Sequence, residues 1–327
     1  LPSIYGASEP QMNANNLRTK GYELVLGWRD SFKLAGSTFS YGITGTFSDY
    51  TAEYTKCDNP TGLIGDPYVG KKYGEIWGYK VDGLFRNDKE AAEYASRIDL
   101  STVASGYYTA TGAYGKGVRG GDIKYLDLIG DNIVNGGKGT LDDPGDRRVI
   151  GNSSPRYQYG ASLNFSWYGF DVSVFMQGIG RLDWYPGADN LRFWGPYCRP
   201  YATFVPKNFM SQVWSEENPD AYFPRARAYT SLNSNSGTAY YTNDRYLQNL
   251  AYCRLKNLTI GYTIPRRLTS KVGIKECRIY FSGENLATWS ALKSDFLDPE
   301  QAAADSDKKA NVYPWCKTYS IGLNLTF

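Results

Sequence analysis

Along this chain apolar and polar residues alternate with a period of two, the signature of strands with two unlike faces. Tyr22, Leu24, Leu26 and Trp28 alternate with Gly21, Glu23, Val25 and Gly27. Phe39, Tyr41, Ile43 and Phe47 alternate with Ser40, Gly42, Thr44, Thr46 and Ser48. Tyr157, Tyr159, Ala161, Leu163, Phe165 and Trp167 then alternate with Gln158, Gly160, Ser162, Asn164 and Ser166. A tight turn at Tyr168-Gly169 leads to Phe170, Val172, Val174 and Met176. A third group sets Leu258, Ile260, Tyr262 and Ile264 against Asn257, Thr259, Gly261 and Thr263, and Ile279 and Phe281 against Tyr280 and Ser282. The last strand is strict: Tyr319, Ile321, Leu323, Leu325 and Phe327 on one side, Ser320, Gly322, Asn324 and Thr326 on the other. Arg254 and Lys256 share the parity of the apolar set, so an apolar face there requires interfacial placement or a bulge that resets the register.

The pattern predicts seven strands, near 20–29, 38–56, 156–167, 170–180, 250–264, 276–289 and 315–327. Connections after the first, third and fifth are short. Those after the second, fourth and sixth are long: 57–155, 181–248 and 290–314. Residues 1–19 read as loop, and 88–98 as a surface helix with Asp88, Glu90 and Glu93 early and Arg97 late. The apolar faces must meet either lipid or a second sheet. Short turns at one end and long loops at the other follow the rule of outer-membrane barrels, which puts the carboxy terminus in the periplasm and the long loops outside the cell. The aromatic last residue resembles the terminal signal by which such barrels are recognised for insertion, so Tyr319, Ile321, Leu323, Leu325 and Phe327 are expected to form an assembly signal.

Composition narrows the choice. No apolar run approaches the roughly 20 residues of a helical span, and mean hydropathy is −0.48, which barrels tolerate because only alternate residues of a strand meet lipid. The 36 basic and 33 acidic residues are interspersed for a net charge of +3, with no basic stripe for nucleic acid. Histidine is absent, which removes Ser-His-Asp and Cys-His chemistry, His-based zinc sites and the commonest general base. No enzyme is expected. The five cysteines, Cys57, Cys198, Cys253, Cys277 and Cys316, are odd in number and lack C-x-x-C spacing. An exported protein needs an address and none precedes Leu1, so the start reads as internal and the chain as a carboxy-terminal portion of something longer.

Four stretches carry a resemblance: 121–131 (GDIKYLDLIGD), 146–157 (DRRVIGNSSPRY), 167–178 (WYGFDVSVFMQG) and 254–262 (RLKNLTIGY), with 283–286 (GENL) and the terminal strand extending it. In these the chain resembles SusC/RagA-type TonB-dependent transporters. The resemblance implies an all-β fold, a transmembrane antiparallel β-barrel of about 22 strands. This chain would supply the carboxy-terminal seven or so, and the plug domain and TonB box would lie upstream. It also implies partners: a SusD-like surface lipoprotein over the outer mouth, the TonB-ExbB-ExbD complex, and an oligosaccharide or oligopeptide as cargo.

Two loop clusters are candidate sites. Asp127, Asp131, Asp142, Asp143 and Asp146 lie in a Gly-rich stretch whose oxygen ligands suit calcium, although Ile129 takes the middle ligand position of the family's loop and Asn132 the place of its Gly. A solvated turn is the alternative. Trp184, Tyr185, Phe193, Trp194, Tyr197, Tyr201 and Trp214, with Arg192 and Arg199 among them, form an aromatic set for contact with cargo or lid, or else for packing within the loop.

The expected function is TonB-dependent import of a large nutrient, with a passive porin or surface adhesin barrel as the alternative. Deleting Phe327, or the substitution Phe327→Asp, is expected to lower the amount of protein assembled in the membrane without changing cargo affinity of what assembles. Fractionation and a binding assay on the assembled pool measure both.

Overall fold

Seven antiparallel strands form one meander, each bonded to the next in the chain. They are β1 (Asn16–Leu34), β2 (Ser37–Lys56), β3 (Arg156–Trp167), β4 (Phe170–Arg181), β5 (Tyr252–Thr263), β6 (Glu276–Ser290) and β7 (Thr318–Thr326). The computed structural model describes residues 13–109, 117–198, 205–227, 232, 237–294, 297–302 and 313–327. Among these, one edge of β1 and one of β7 have no partner strand, so the sheet is a sector of a barrel rather than a closed one. β1 runs five residues beyond the Arg29 at which its alternation fades, because Asp30 and Lys33 sit at the turn end, past the apolar band. Two-residue turns join β1 to β2 and β3 to β4. Ala35 and Gly36, with φ of 50° and 85°, and Tyr168 and Gly169, with φ of 49° and 84°, give both turns the left-handed geometry that matches strand twist.

The period-two pattern separates two faces. Ile43 pairs with Leu163, Leu163 with Val174 and Val174 with Leu258, so the aliphatic residues of four strands share one side. No second sheet packs on that side among the described residues, and Leu24, Leu26, Trp28, Ile43, Ile260 and Ile279 are exposed. A soluble sandwich would have buried them. Aromatic rings bound the aliphatic band at both ends. Phe39, Tyr41 and Phe165 lie together near the turns, with centroids 6.0 Å (Phe39 to Tyr41) and 6.3 Å (Phe39 to Phe165) apart, and Phe170 meets Tyr262 at 4.5 Å. At the other end Phe47 stacks on Tyr22 and Tyr157. From Phe39 to Phe47 is roughly 27 Å along the strand at about 3.4 Å per residue, enough for a tilted strand to span most of an apolar band about 25 Å tall.

The long connections are not loose. Residues of 57–155 and 182–250 share one core in which Phe85, Ile123 and Tyr125 from the first meet Tyr185, Trp194, Phe223 and Tyr246 from the second. Short ribbons shape it: Glu75–Tyr79 with Arg147–Asn152, and Val81–Leu84 with Ile123–Tyr125. The helix Asp88–Ala95 is shorter than its pattern suggests and is capped by the Asn87 side chain, which accepts from the Glu90 amide at 2.9 Å. Buried hydroxyls of this core find partners that offset lost hydration. Tyr107 meets Thr238 Oγ1 at 3.0 Å, Tyr125 donates to the Thr238 carbonyl, and Asn243 donates to Tyr185 at 3.0 Å. A buried ion pair crosses this core. Arg227 grips both oxygens of Asp122 at 3.0 and 2.6 Å, both side chains being buried. Burial pushes the Asp122 carboxyl up to about 6 against the pull of Arg227.

Two expectations follow from these packing patterns. Ile43→Arg, in the middle of the apolar band, is expected to destabilise the barrel by about 2–4 kcal/mol, whereas Asn164→Arg on the polar face should leave assembly nearly unchanged. Urea titration of the reconstituted protein separates them. Trp194→Ala with Tyr197→Ala is expected to loosen the loop body, since Trp→Ala in a core costs about 3–5 kcal/mol. Limited proteolysis should then cut within 182–248 while the strands stay protected, with or without a partner protein present.

Candidate functional site

The polar face of the sheet carries a ladder of side-chain contacts from the turn end to the loop end. Near the turns Arg278 of β6 reaches across β5 to Asp171 of β4, with both oxygens bonded at 2.9 and 2.5 Å. Gly261 lies between them, and a Cβ there would come within 2.5 Å of both charged groups, so glycine is what lets the pair form. Higher up, Ser173 donates to Asn164 at 2.9 Å, and Thr259 meets Ser282 at 3.3 Å. This is a hydrophilic wall of the kind that lines a lumen.

At the loop end the wall becomes cationic and is covered. Leu255 pairs with Met176 and Asn257 with Phe175, so Lys256 is an extra residue relative to β4. A bulge of one residue reverses the parity of everything before it. Arg254 therefore stands opposite Gln177 and Thr288 on the polar face, while Leu258 beyond the bulge stands on the apolar one. β6 adjusts on its side, where Asn285 has a φ of 52°. The parity conflict posed by Arg254 and Lys256 is resolved by this bulge.

Over Arg254 lies the segment 297–302, which follows β6. Arg254 Nη2 donates to Asp298 at 2.6 Å, Nη1 to Glu300 at 2.7 Å, and Nε to Thr288 Oγ1 at 2.9 Å. Lys256 Nζ reaches both Glu300 oxygens at 2.9 and 2.8 Å. The Arg254 side chain is only 2% exposed. Leu297 and Ala302 at the segment's ends enter the core of the loop body. Two carboxylates and two cations are thus stacked between the wall and the loops.

The sequence-derived sites take different places. Trp184, Tyr185, Phe193, Trp194, Tyr197 and Trp214 are all buried in the loop core. Of the two readings, packing within the loop is the one their placement matches: their rings face one another, with Phe193 and Trp194 at 4.8 Å and Trp194 and Tyr246 at 5.0 Å, because a body built of loops must supply its own interior. Tyr201 lies outside the described residues. The aspartates do not converge either. Asp127 accepts the amides of Ile129, Gly130 and Asn132, Asp131 accepts that of Ile133, and buried Asp146 accepts those of Leu128 and Asn135. Burial works to raise the Asp127 carboxyl, yet the amides outweigh it and hold it below the usual range. Asp142 and Asp143 lie beside Gly62 and Gly137. Among the described residues no three acidic or Cys side chains gather as a cation site. None of the five cysteines is in a disulfide. The terminal set from Tyr319 to Leu325 lies on the exposed apolar side of β7, and Lys275 Nζ donates to the Phe327 carbonyl at 2.7 Å.

Sequence reasoning missed Asp298 and Glu300. A signal existed, since two cations at apolar parity imply carboxylates from elsewhere, but nothing in the spacing says which. A cleft of about 420 Å³ between β2, Lys72–Glu75 and Val149–Asn152 was also unforeseen. Two of its cations, Arg156 and Arg181, are already paired, with Asp49 and Asp183.

No protein-family model matches the chain. It is 24% identical over 349 residues to TonB-dependent receptor P3 of Formosa agariphila, covering 100% of this chain and 30% of that protein. It is 25% identical over 347 residues to TonB-dependent receptor P26 of the same organism, covering 100% and 31%. The chain thus spans about a third of the length of these relatives. Among solved structures, the RagAB peptide transporter superposes with a TM-score of 0.62 at 18% identity, over 100% of this chain and 31% of that one. The RagAB peptide importer in its open-open state gives 0.61 at 17%, over 100% and 30%. The resemblance read from the sequence therefore stands: over its whole length the chain is similar to a part of TonB-dependent receptors and shares the fold of the matching part of RagAB.

Proposed function

We propose that the full-length protein imports a large nutrient, an oligosaccharide or oligopeptide, across the outer membrane with energy supplied through TonB-ExbB-ExbD. In this reading it is the barrel partner of a SusD-like lipoprotein, its long loops face the medium and its carboxy terminus the periplasm. The observation that supports it best is the contrast between the two ends of the polar wall. Among the described residues the turn end carries only side chains such as the Arg278–Asp171 pair, whereas the loop end carries a folded body on top of an ion-paired segment. A wall left open at one end and furnished at the other suits a route with an entrance that recognises something. The similarity to TonB-dependent receptors and to a structure described as a peptide transporter points the same way.

Uptake of labelled oligosaccharide and oligopeptide mixtures, compared between cells with and without the protein and cells lacking TonB, tests the proposal. Import that needs both the protein and TonB is the expected result. Import that persists without TonB would mean a passive porin, and none in any strain, with surface binding intact, would mean an adhesin.

A further inference from the structure

We propose that Arg254 and Lys256 form a carboxylate-binding site on the inner wall, that Asp298 and Glu300 occupy it as an internal ligand, and that carboxylate-bearing cargo displaces them. This deepens the import reading by naming the cargo's chemistry, and it rests on the wall being the route of passage.

The geometry is that of a filled site rather than of an incidental surface pair. Arg254 spends all three of its nitrogens in directed bonds, two on different carboxylates and one on Thr288. Lys256 takes both oxygens of Glu300, and its ammonium lies 4.9 Å from the Trp315 ring centroid. Arg254 belongs to a strand paired on both sides, and Lys256 sits at that strand's bulge. Their carboxylate partners come from one short turn, in which the amides of Glu300 and Gln301 bond to Asp298 Oδ1 and that of Ala302 to the Asp298 carbonyl, seated at its ends by Leu297 and Ala302 in the loop core. A preformed cationic pair on a strand and a carboxylate pair on a single turn differ in how readily each moves. The cations stay, and the acids are the part that can leave. When they do, two cations held by the same strand lose compensation at a polar wall, and a carboxylate from solution restores it at least cost. Arg presents the fork that carboxylates fit, and Lys the point charge beside it. The segment is thus a tethered competitor: neutral cargo leaves it in place, and acidic cargo exchanges with it.

Hydrogen exchange on the full-length receptor in detergent tests this through the amides of Glu300, Gln301 and Ala302. The probes are an oligoglutamate peptide and an oligogalacturonate, with oligoglutamine and the methyl-esterified galacturonate as neutral counterparts. At least one acidic probe is expected to speed exchange at these three amides, saturably, while its neutral counterpart does not and the strand amides hold. Which of the two acts tells whether peptide or sugar carries the carboxylate. Glu300→Gln, which keeps the shape and removes one charge, should lower the acidic probe's half-effect concentration about tenfold. Should that variant fail to assemble, the wild-type titration decides alone. Unchanged exchange with both acidic probes, or equal acceleration by acidic and neutral ones, would overturn the proposal. Import independent of TonB would end the importer reading and leave this titration intact; a flat titration with normal import would end only the exchange.

Discussion

Register governs this structure. Every backbone donor and acceptor of a strand that crosses lipid must bond to the neighbouring strand, so strands cannot be spaced or tilted at will. A slip of one residue would carry each side chain to the opposite face. From Leu17 through the fourth strand the rule runs undisturbed, and the outcome is an aliphatic band edged by Tyr, Phe and Trp on one side and Ser, Thr, Asn and Gly on the other. At Lys256 it is broken in a controlled manner. The bulge places Arg254 inward and Leu258 outward on a single strand, so a cationic site and a lipid face coexist within a few residues of each other.

The loop body solves a different problem with the same material. Chain beyond the lipid has water for its backbone, so its order must come from buried side chains rather than from an obligatory ladder. Aromatic residues serve because each buries a large area and Tyr keeps a hydroxyl to satisfy a stray carbonyl. Tyr197 donates to the Pro224 carbonyl and Tyr246 to that of Tyr222. Burial pushes the pKa of the Tyr125, Tyr185 and Tyr246 phenols up, so these hydroxyls stay neutral donors. Asp122 and Arg227 do not add much by existing, because a buried pair roughly offsets its own desolvation, but losing either would leave an uncompensated charge. They tie the two long connections together.

The strands were legible in the sequence because a half-buried sheet writes itself as alternation, and the hairpin at Tyr168-Gly169 because a Gly between two such runs admits a left-handed turn. The end of β1 was not, since Arg29, Asp30 and Lys33 interrupt the pattern where the strand has already left the apolar band. The aromatic loop was misleading for a physical reason. Rings interleaved with Arg look alike whether they wait for a ligand or pack on one another, and only the partner loop, which lies elsewhere in the chain, decides. The aspartate run was ambiguous likewise: Asp127 and Asp146 each bond amides of nearby turns, which no ligand-spacing rule anticipates. The bulge was legible as a contradiction, in that two cations could not sit on a lipid face, yet the carboxylates that answer them come from a segment past the next strand.

That contradiction also explains why the inner wall is charged where it is. Stability does not require it, since apolar residues of similar volume often replace a buried ion pair at no loss. An apolar seat for 297–302 would, however, be indifferent to what enters the barrel, and water in the lumen would hold it shut by the hydrophobic effect alone. Charged seats behave otherwise. Their partners are interchangeable with any carboxylate that reaches them, and the fork of Arg254 sets the direction from which it must come. The register device that keeps Arg254 out of the lipid therefore does more than relieve a conflict: it turns an otherwise forbidden cation into a strongly directional group on the wall beneath the loop body.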